Sequence, residues 1–172
     1  MSETRIELQR AIAATPSEIF EILRSPQGHI DIDASGMLMW SDGEPVTAVG
    51  DRFVMHMDRD SLRDFPLNEY EVIVVITRFE QDRAIEWTID GTLQPPIGHV
   101  YGYELEETDG GTTVTSYYDW SDIHENYQGL GIFPIIDDRT QLGTLGILAR
   151  TAAPGRPRPG AEQSQRPDVV DN

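Results

Sequence analysis

The stretch His99-Val-Tyr-Gly-Tyr-Glu-Leu-Glu-Glu-Thr108, Asp109-Gly110, Gly111-Thr-Thr-Val-Thr-Ser-Tyr-Tyr-Asp-Trp120 decides the fold. Asp-Gly between two alternating runs signals a two-residue hairpin loop, because a type I′ turn needs positive φ at both central positions. With Asp109 and Gly110 in that loop, Leu105 stands opposite Val114, Tyr103 opposite Ser116, Tyr101 opposite Tyr118 and His99 opposite Trp120. Side chains alternate along a strand, so these eight share one face, while Glu104, Glu106, Thr113, Thr115 and Asp119 take the other. An aromatic face backed by a charged, β-branched one predicts a sheet that covers something on one side.

Upstream, Thr4 to Ile12 alternate as a strand, with Ile6, Leu8 and Ile12 on one side and Glu7 and Gln9 on the other. Arg10 falls on the apolar parity; it is either an interior cation or is turned outward by a twist at the strand end, and the second is preferred. Thr15-Pro16-Ser17-Glu18 starts a helix: Thr15 caps, Pro16 suits the first position and Glu18 completes a capping box. Ile19, Phe20, Ile22 and Leu23 are its buried side, and Ser25-Pro26 restarts a second short helix that ends near Ile30.

Met37 to Trp40 and Arg52 to Met57 read as the next strands, the second placing Phe53, Met55 and Met57 on one parity and Val54 and His56 on the other. Asp58 to Pro66 is a charged loop. In the long strand Asn68 to Phe79, Val72 to Ile76 is apolar on both parities, which predicts cover on both faces. Arg83 to Asp90 turns Ile85, Trp87 and Ile89 inward, and Pro95-Pro96 stiffens the connection to the hairpin. After the irregular segment Ser121 to Phe133 the pattern becomes helical, with Ile135, Leu142, Leu145 and Ala149 in one stripe. Asp138 lies on that stripe and either points inward or caps the helix, Gln141 being at the capping-box spacing; the cap is preferred. Residues 1–152 read as one domain. Residues 153–172, rich in Pro, Gly, Gln and Arg without apolar periodicity, read as a disordered tail.

Composition narrows the function. The 30 acidic residues against 13 basic ones, all Arg, give a formal charge of -17, which repels phosphate backbones and argues against nucleic acid as a partner. No apolar run is long enough for membrane insertion, and no signal-peptide pattern opens the sequence. The absence of Cys excludes disulfides and thiolate chemistry and suits a cytoplasmic location. His29, Asp31 and Asp33 would share a face if extended, but carboxylates at the end of a helical turn are more often solvated, so neither a metal nor another cofactor is expected.

The element order, with five local pieces, resembles the START-like (SRPBCC) superfamily and its polyketide cyclase/dehydrase branch. The pieces are Ile12-Ala-Ala-Thr-Pro-Ser-Glu-Ile-Phe20, Ser35-Gly36, Arg78-Phe-Glu-Gln-Asp-Arg-Ala-Ile-Glu-Trp87, the hairpin ending Tyr-Asp-Trp-Ser121, and the terminal helix Thr140 to Arg150. This resemblance implies an α+β helix-grip fold, a curved antiparallel sheet of about six or seven strands around a long C-terminal helix. It also implies a cavity for a lipid-like or polyketide-like molecule. The superfamily has no shared catalytic motif, so no catalytic residue is carried over.

The expected ligand-binding residues are Phe53, Met55, Met57, Trp87, Tyr101, Tyr103, Tyr118, Trp120, Asp138, Leu142 and Leu145. Three tyrosines suit a pocket holding water or a partly polar ligand, unless their hydroxyls reach the rim of the sheet. The leading function is therefore binding of a hydrophobic or amphipathic small molecule. The alternative is a cyclase, aromatase or dehydratase using Tyr101, Tyr103 or Asp138. His56 is expected outside, His99 near a rim and His124 in a loop bordering the mouth, with no pair forced together by spacing. A covered outer face around Val72 to Ile76 makes a homodimer a candidate assembly.

Overall fold

The computed structural model describes residues 3–160. Their elements are β1 (Arg5–Ile12), α1 (Pro16–Leu23), α2 (Pro26–Ile32), β2 (Leu38–Asp42), β3 (Arg52–Asp58), β4 (Glu69–Glu80), β5 (Ala84–Gly91), β6 (Val100–Thr108), β7 (Gly111–Asp119) and α3 (Asp138–Ala152). The strands form one seven-stranded antiparallel sheet in the order β1-β7-β6-β5-β4-β3-β2. This is the helix-grip α+β arrangement. Of the segment expected as a tail, residues 161–172 lie outside the described residues, while Arg156 donates to the Ala13 carbonyl at 3.2 Å.

The hairpin has the expected register, with Leu105 paired to Val114, Tyr103 to Ser116 and Tyr101 to Tyr118. Its ladder runs from Thr108–Gly111 to Val100–Asp119, so His99 and Trp120 lie just beyond it. The turn itself differs from expectation. Gly110 has φ 89° whereas Asp109 keeps a negative φ, so this is not a type I′ turn. Glycine alone takes the conformation that a Cβ would disfavour.

Both short helices start as the side chains dictate. Thr15 accepts from the Glu18 amide while Glu18 accepts from the Thr15 amide, and Ser25 caps α2 by accepting from Gly28. The second helix continues to Ile32, a little beyond the expected end. Ile19, Phe20 and Leu23 of α1 are buried in the core with Ile12, Val74, Ile76, Ile85, Val114, Leu145 and Leu148.

Two expectations, for Arg10 and for α3, are corrected here, and a third, for β4, is met in part. Arg10 stays on the inward parity opposite the fully buried Val114, half-buried and with a dry, unpartnered Nε, so no terminal twist turns it outward. In β4, Val72, Val74 and Ile76 are buried and Ile73 and Val75 half-buried, so within the single chain the outward face is covered in part. In α3 the cap is Asp137, whose carboxylate accepts from the Thr140 amide at 2.8 Å; Asp138 is the first helical residue and is exposed. The buried stripe is Gln141, Leu145 and Leu148, while Leu142 is 50% exposed. The expected phase leaned on Ile135, which precedes the helix and so cannot set its rotation.

Candidate ligand-binding cavity

Between the sheet and α3 lies a cavity of about 480 Å³, within the usual range for small-molecule sites. Met55 and Met57 of β3, Tyr70, Val72 and Val74 of β4, Trp87 and Ile89 of β5, Tyr101 and Tyr103 of β6 and Ser116 of β7 form the sheet wall. His29 and Ile32 of α2 and Thr140, Gln141 and Thr144 of α3 close the other side. The mouth is made by three connections carrying the exposed Leu67, Leu93 and Leu130.

The candidate residues separate into groups. Met55, Met57, Trp87, Tyr101 and Tyr103 line the cavity. Phe53, Tyr118 and Leu145 are buried behind its wall. Trp120 is half-buried and stacks on Phe133, with ring centroids 6.3 Å apart. Asp138 and Leu142 are exposed and outside the lining, which corrects the expectation that they face a ligand. Met37 also lines the cavity, while Met39 points out and is exposed.

The pairing of Ile76 with Trp87, Trp87 with Tyr101 and Tyr101 with Tyr118 brings the aromatic wall together. Trp87 lies 6.0 Å from Tyr101 at an interplanar angle of 15° and 5.9 Å from Tyr103 at 33°. His29 meets the same indole edge-on at 4.7 Å. Its Nε2–H donates to the Leu23 carbonyl at 2.8 Å, a group left open by the end of α1. That bond and enclosure among aromatic rings give His29 a structural role, and burial pulls its pKa down to about 4. No cluster able to hold a metal occurs among the described residues.

The remaining polar groups are mostly paired. His99 is buried with Nδ1 2.7 Å from the Tyr118 hydroxyl, and burial lowers its pKa to about 4. Burial pushes Tyr118 up to about 12 and raises Tyr101 and Tyr103 well above the ordinary phenol value. Arg59, 4% exposed, donates from Nε to Asp64 at 2.9 Å and from Nη1 to the Tyr70 hydroxyl at 3.2 Å. Burial opposes its charge, but these hydrogen bonds prevail and its pKa is raised. Asp33 accepts from the Ser35 hydroxyl and amide and from the Leu38 amide. Near neutral pH the cavity histidines and these tyrosines are uncharged, and the Arg59 guanidinium is neutralised by Asp64.

One cavity side chain breaks this pattern. Gln141 is 7% exposed, and neither Nε2 nor Oε1 has a partner. An unpaired buried polar group costs about 1–3 kcal/mol. Sequence reasoning treated Gln141 only as a capping partner; its position one and two turns before Leu145 and Leu148 was the available signal. Tyr70 was missed although it shares the inward parity of Val72 and Val74, and Arg59 was hidden in a charged loop. The other histidines stand apart. His56 is on the outward face, stacked on Trp40 at 3.3 Å and 3.1 Å from Asp42. His124 accepts from the Asn126 amide, and Tyr127, not His124, reaches the mouth.

An antiparallel sheet packed on a C-terminal helix around an internal cavity is a helix-grip fold. No family model matches the chain, and no curated protein matches it. Solved structures do. The chain is similar to protein CV1439 from Chromobacterium violaceum at 15% identity and TM-score 0.64, covering 88% of this chain and 98% of that one. An AHSA1-like protein from Aeromonas hydrophila is 18% identical with TM-score 0.57, covering 85% and 90%. The Aha1 dimer from Colwellia psychrerythraea is 16% identical with TM-score 0.58, covering 88% and 98%. At these identities the likeness is one of fold. No helix among the described residues is long and apolar enough to cross a membrane.

Proposed function

We propose that this chain binds a hydrophobic or amphipathic small molecule, lipid-like or polyketide-like, in the cavity between the sheet and α3. The observation that carries this reading is the cavity itself: about 480 Å³, walled by Met, Val, Ile and aromatic side chains. Apolar surface at that scale favours an apolar occupant, and the stacked Trp87, Tyr101 and Tyr103 suit a flat one. Proton-transfer chemistry receives less support, because Asp138 is outside and the cavity tyrosines and histidines have pKa values moved away from neutrality.

Titration with the neutral dye Nile red tests the binding reading, with native mass spectrometry of the freshly purified protein to detect a co-purifying molecule. Ser116 is buried at the cavity wall, so Ser116→Phe projects a ring into the space. This variant is expected to weaken dye binding at least about tenfold while leaving the far-UV circular dichroism unchanged. Equal dye affinity in both proteins, or no uptake by the wild type, overturns the reading.

A homodimer formed through the outward face around Ile73 and Val75 is part of this proposal, those side chains being only half-buried. Light scattering behind size exclusion is expected to give twice the chain mass; a monomer at high concentration removes the dimer and leaves cavity binding untouched.

A further inference from the structure

Resting on the cavity-binding reading, we propose that Gln141 is the polar anchor of the site and that the ligand presents a neutral donor–acceptor edge, as a carboxamide, a lactam or an enolised β-dicarbonyl does. The side chain lines the cavity, is more than nine-tenths buried and leaves both polar atoms unpartnered. Local structure does not require the amide. Asp137 caps α3, the Gln141 backbone amide donates to the Asp137 carbonyl, and the same buried stripe continues with leucines at 145 and 148. A leucine at 141 would suit the stripe and remove two unpaired atoms, so the amide is explained by a partner that arrives with the ligand.

The chemistry of that partner follows from the amide. Its N–H donates and its carbonyl accepts side by side, so a complementary edge must offer one acceptor and one donor. A carboxylate satisfies Nε2 but leaves Oε1 facing another acceptor. It would also bring a charge into a cavity whose Arg59 is already held by Asp64, in a protein of formal charge -17. An ammonium group fails conversely, leaving Nε2 unpaired. A neutral edge satisfies both atoms, while the ligand's remaining surface rests on Trp87, Tyr101 and Tyr103.

The test is Nile red displacement from the full chain by naphthalene-2-carboxamide, 2-methylnaphthalene and 2-naphthoate, compared between the wild type and Gln141→Leu. Each probe carries its own desolvation cost into both proteins, so that cost cancels in the ratio of affinities. The substitution is expected to raise the melting temperature, to leave 2-methylnaphthalene affinity within about twofold, and to weaken the carboxamide about tenfold or more. Gln141→Met provides the same comparison if the leucine variant folds poorly. An unchanged carboxamide-to-methyl ratio, or 2-naphthoate binding more tightly than the carboxamide, overturns the anchor while dye binding preserves the cavity reading. Failure of the wild type to take up the dye overturns both.

Discussion

Acidification from pH 7 to pH 5 is expected to cost the folded state on the order of 4 kcal/mol through two histidines, roughly 2 kcal/mol from each. His29 and His99 have their pKa values lowered by burial from 6.5 to about 4. The unfolded chain therefore binds more protons than the native one between those values. Stability from the neutral imidazoles is fully present above about 6.5 and is lost as pH falls toward 4. Each ring has a specific reason to resist a second proton. His29 already uses Nε2–H on the Leu23 carbonyl and is packed against Phe53 and Trp87, and His99 is buried against the Tyr118 hydroxyl.

Protonation of surface carboxylates relieves self-repulsion and acts in the opposite direction, but it is common to the wild type and its variants. Urea unfolding at pH 7, 6 and 5 of the wild type, His29→Gln and His99→Gln separates the two effects. Each variant is expected to remove about half of the histidine-dependent loss. The carboxylates with lowered pKa values, including those of Asp64 and Asp119, add their losses below the window, near and under the ordinary Asp value of 3.8. Parallel pH profiles for all three proteins would refute the assignment.

Gly28→Ala is expected to destabilise the protein by about 3 kcal/mol, although alanine is the better helix former by about 1 kcal/mol. A Cβ at this buried position would lie 1.8 Å from the Ile22 carbonyl oxygen and 2.7 Å from its carbon. The Cβ position is fixed by the backbone and the atoms it meets are backbone, so no side-chain rotation relieves the clash. Either α2 moves away from α1 or the turn between them opens. The same movement displaces His29 and Ile32 from the cavity wall. Chemical denaturation measures the stability loss, and Nile red affinity is expected to fall with it at a temperature where the variant remains folded. A variant as stable as the wild type would show that the helix pair has slack at this contact.

Much of the architecture was legible because its determinants are local. Thr15, Pro16 and Glu18 specify the start of α1 over four residues, and Ser25-Pro26 does the same for α2. Period-two alternation around Asp109-Gly110 specifies the hairpin register, because a slip by one residue would put Tyr101 and Tyr103 into solvent. The turn type was less legible, since one left-handed glycine sufficed where two such residues were expected.

The sequence by itself thus determined the order of elements, the inward parity of Met55, Trp87, Tyr101 and Tyr103, and the helix-grip class. Tertiary packing decided depth and rotation. Tyr101 and Tyr118 share one face, yet the first lines the cavity while the second is held behind the wall, its hydroxyl against the cavity-lining His99. The rotation of α3 was set by its fit against the sheet, which buried Gln141 and exposed Leu142. Arg59 lines the cavity held by Asp64 and Tyr70, contacts that depend on the pairing of β3 with β4. Alternation determines which way a side chain points; what stands in front of it depends on the elements that pack there.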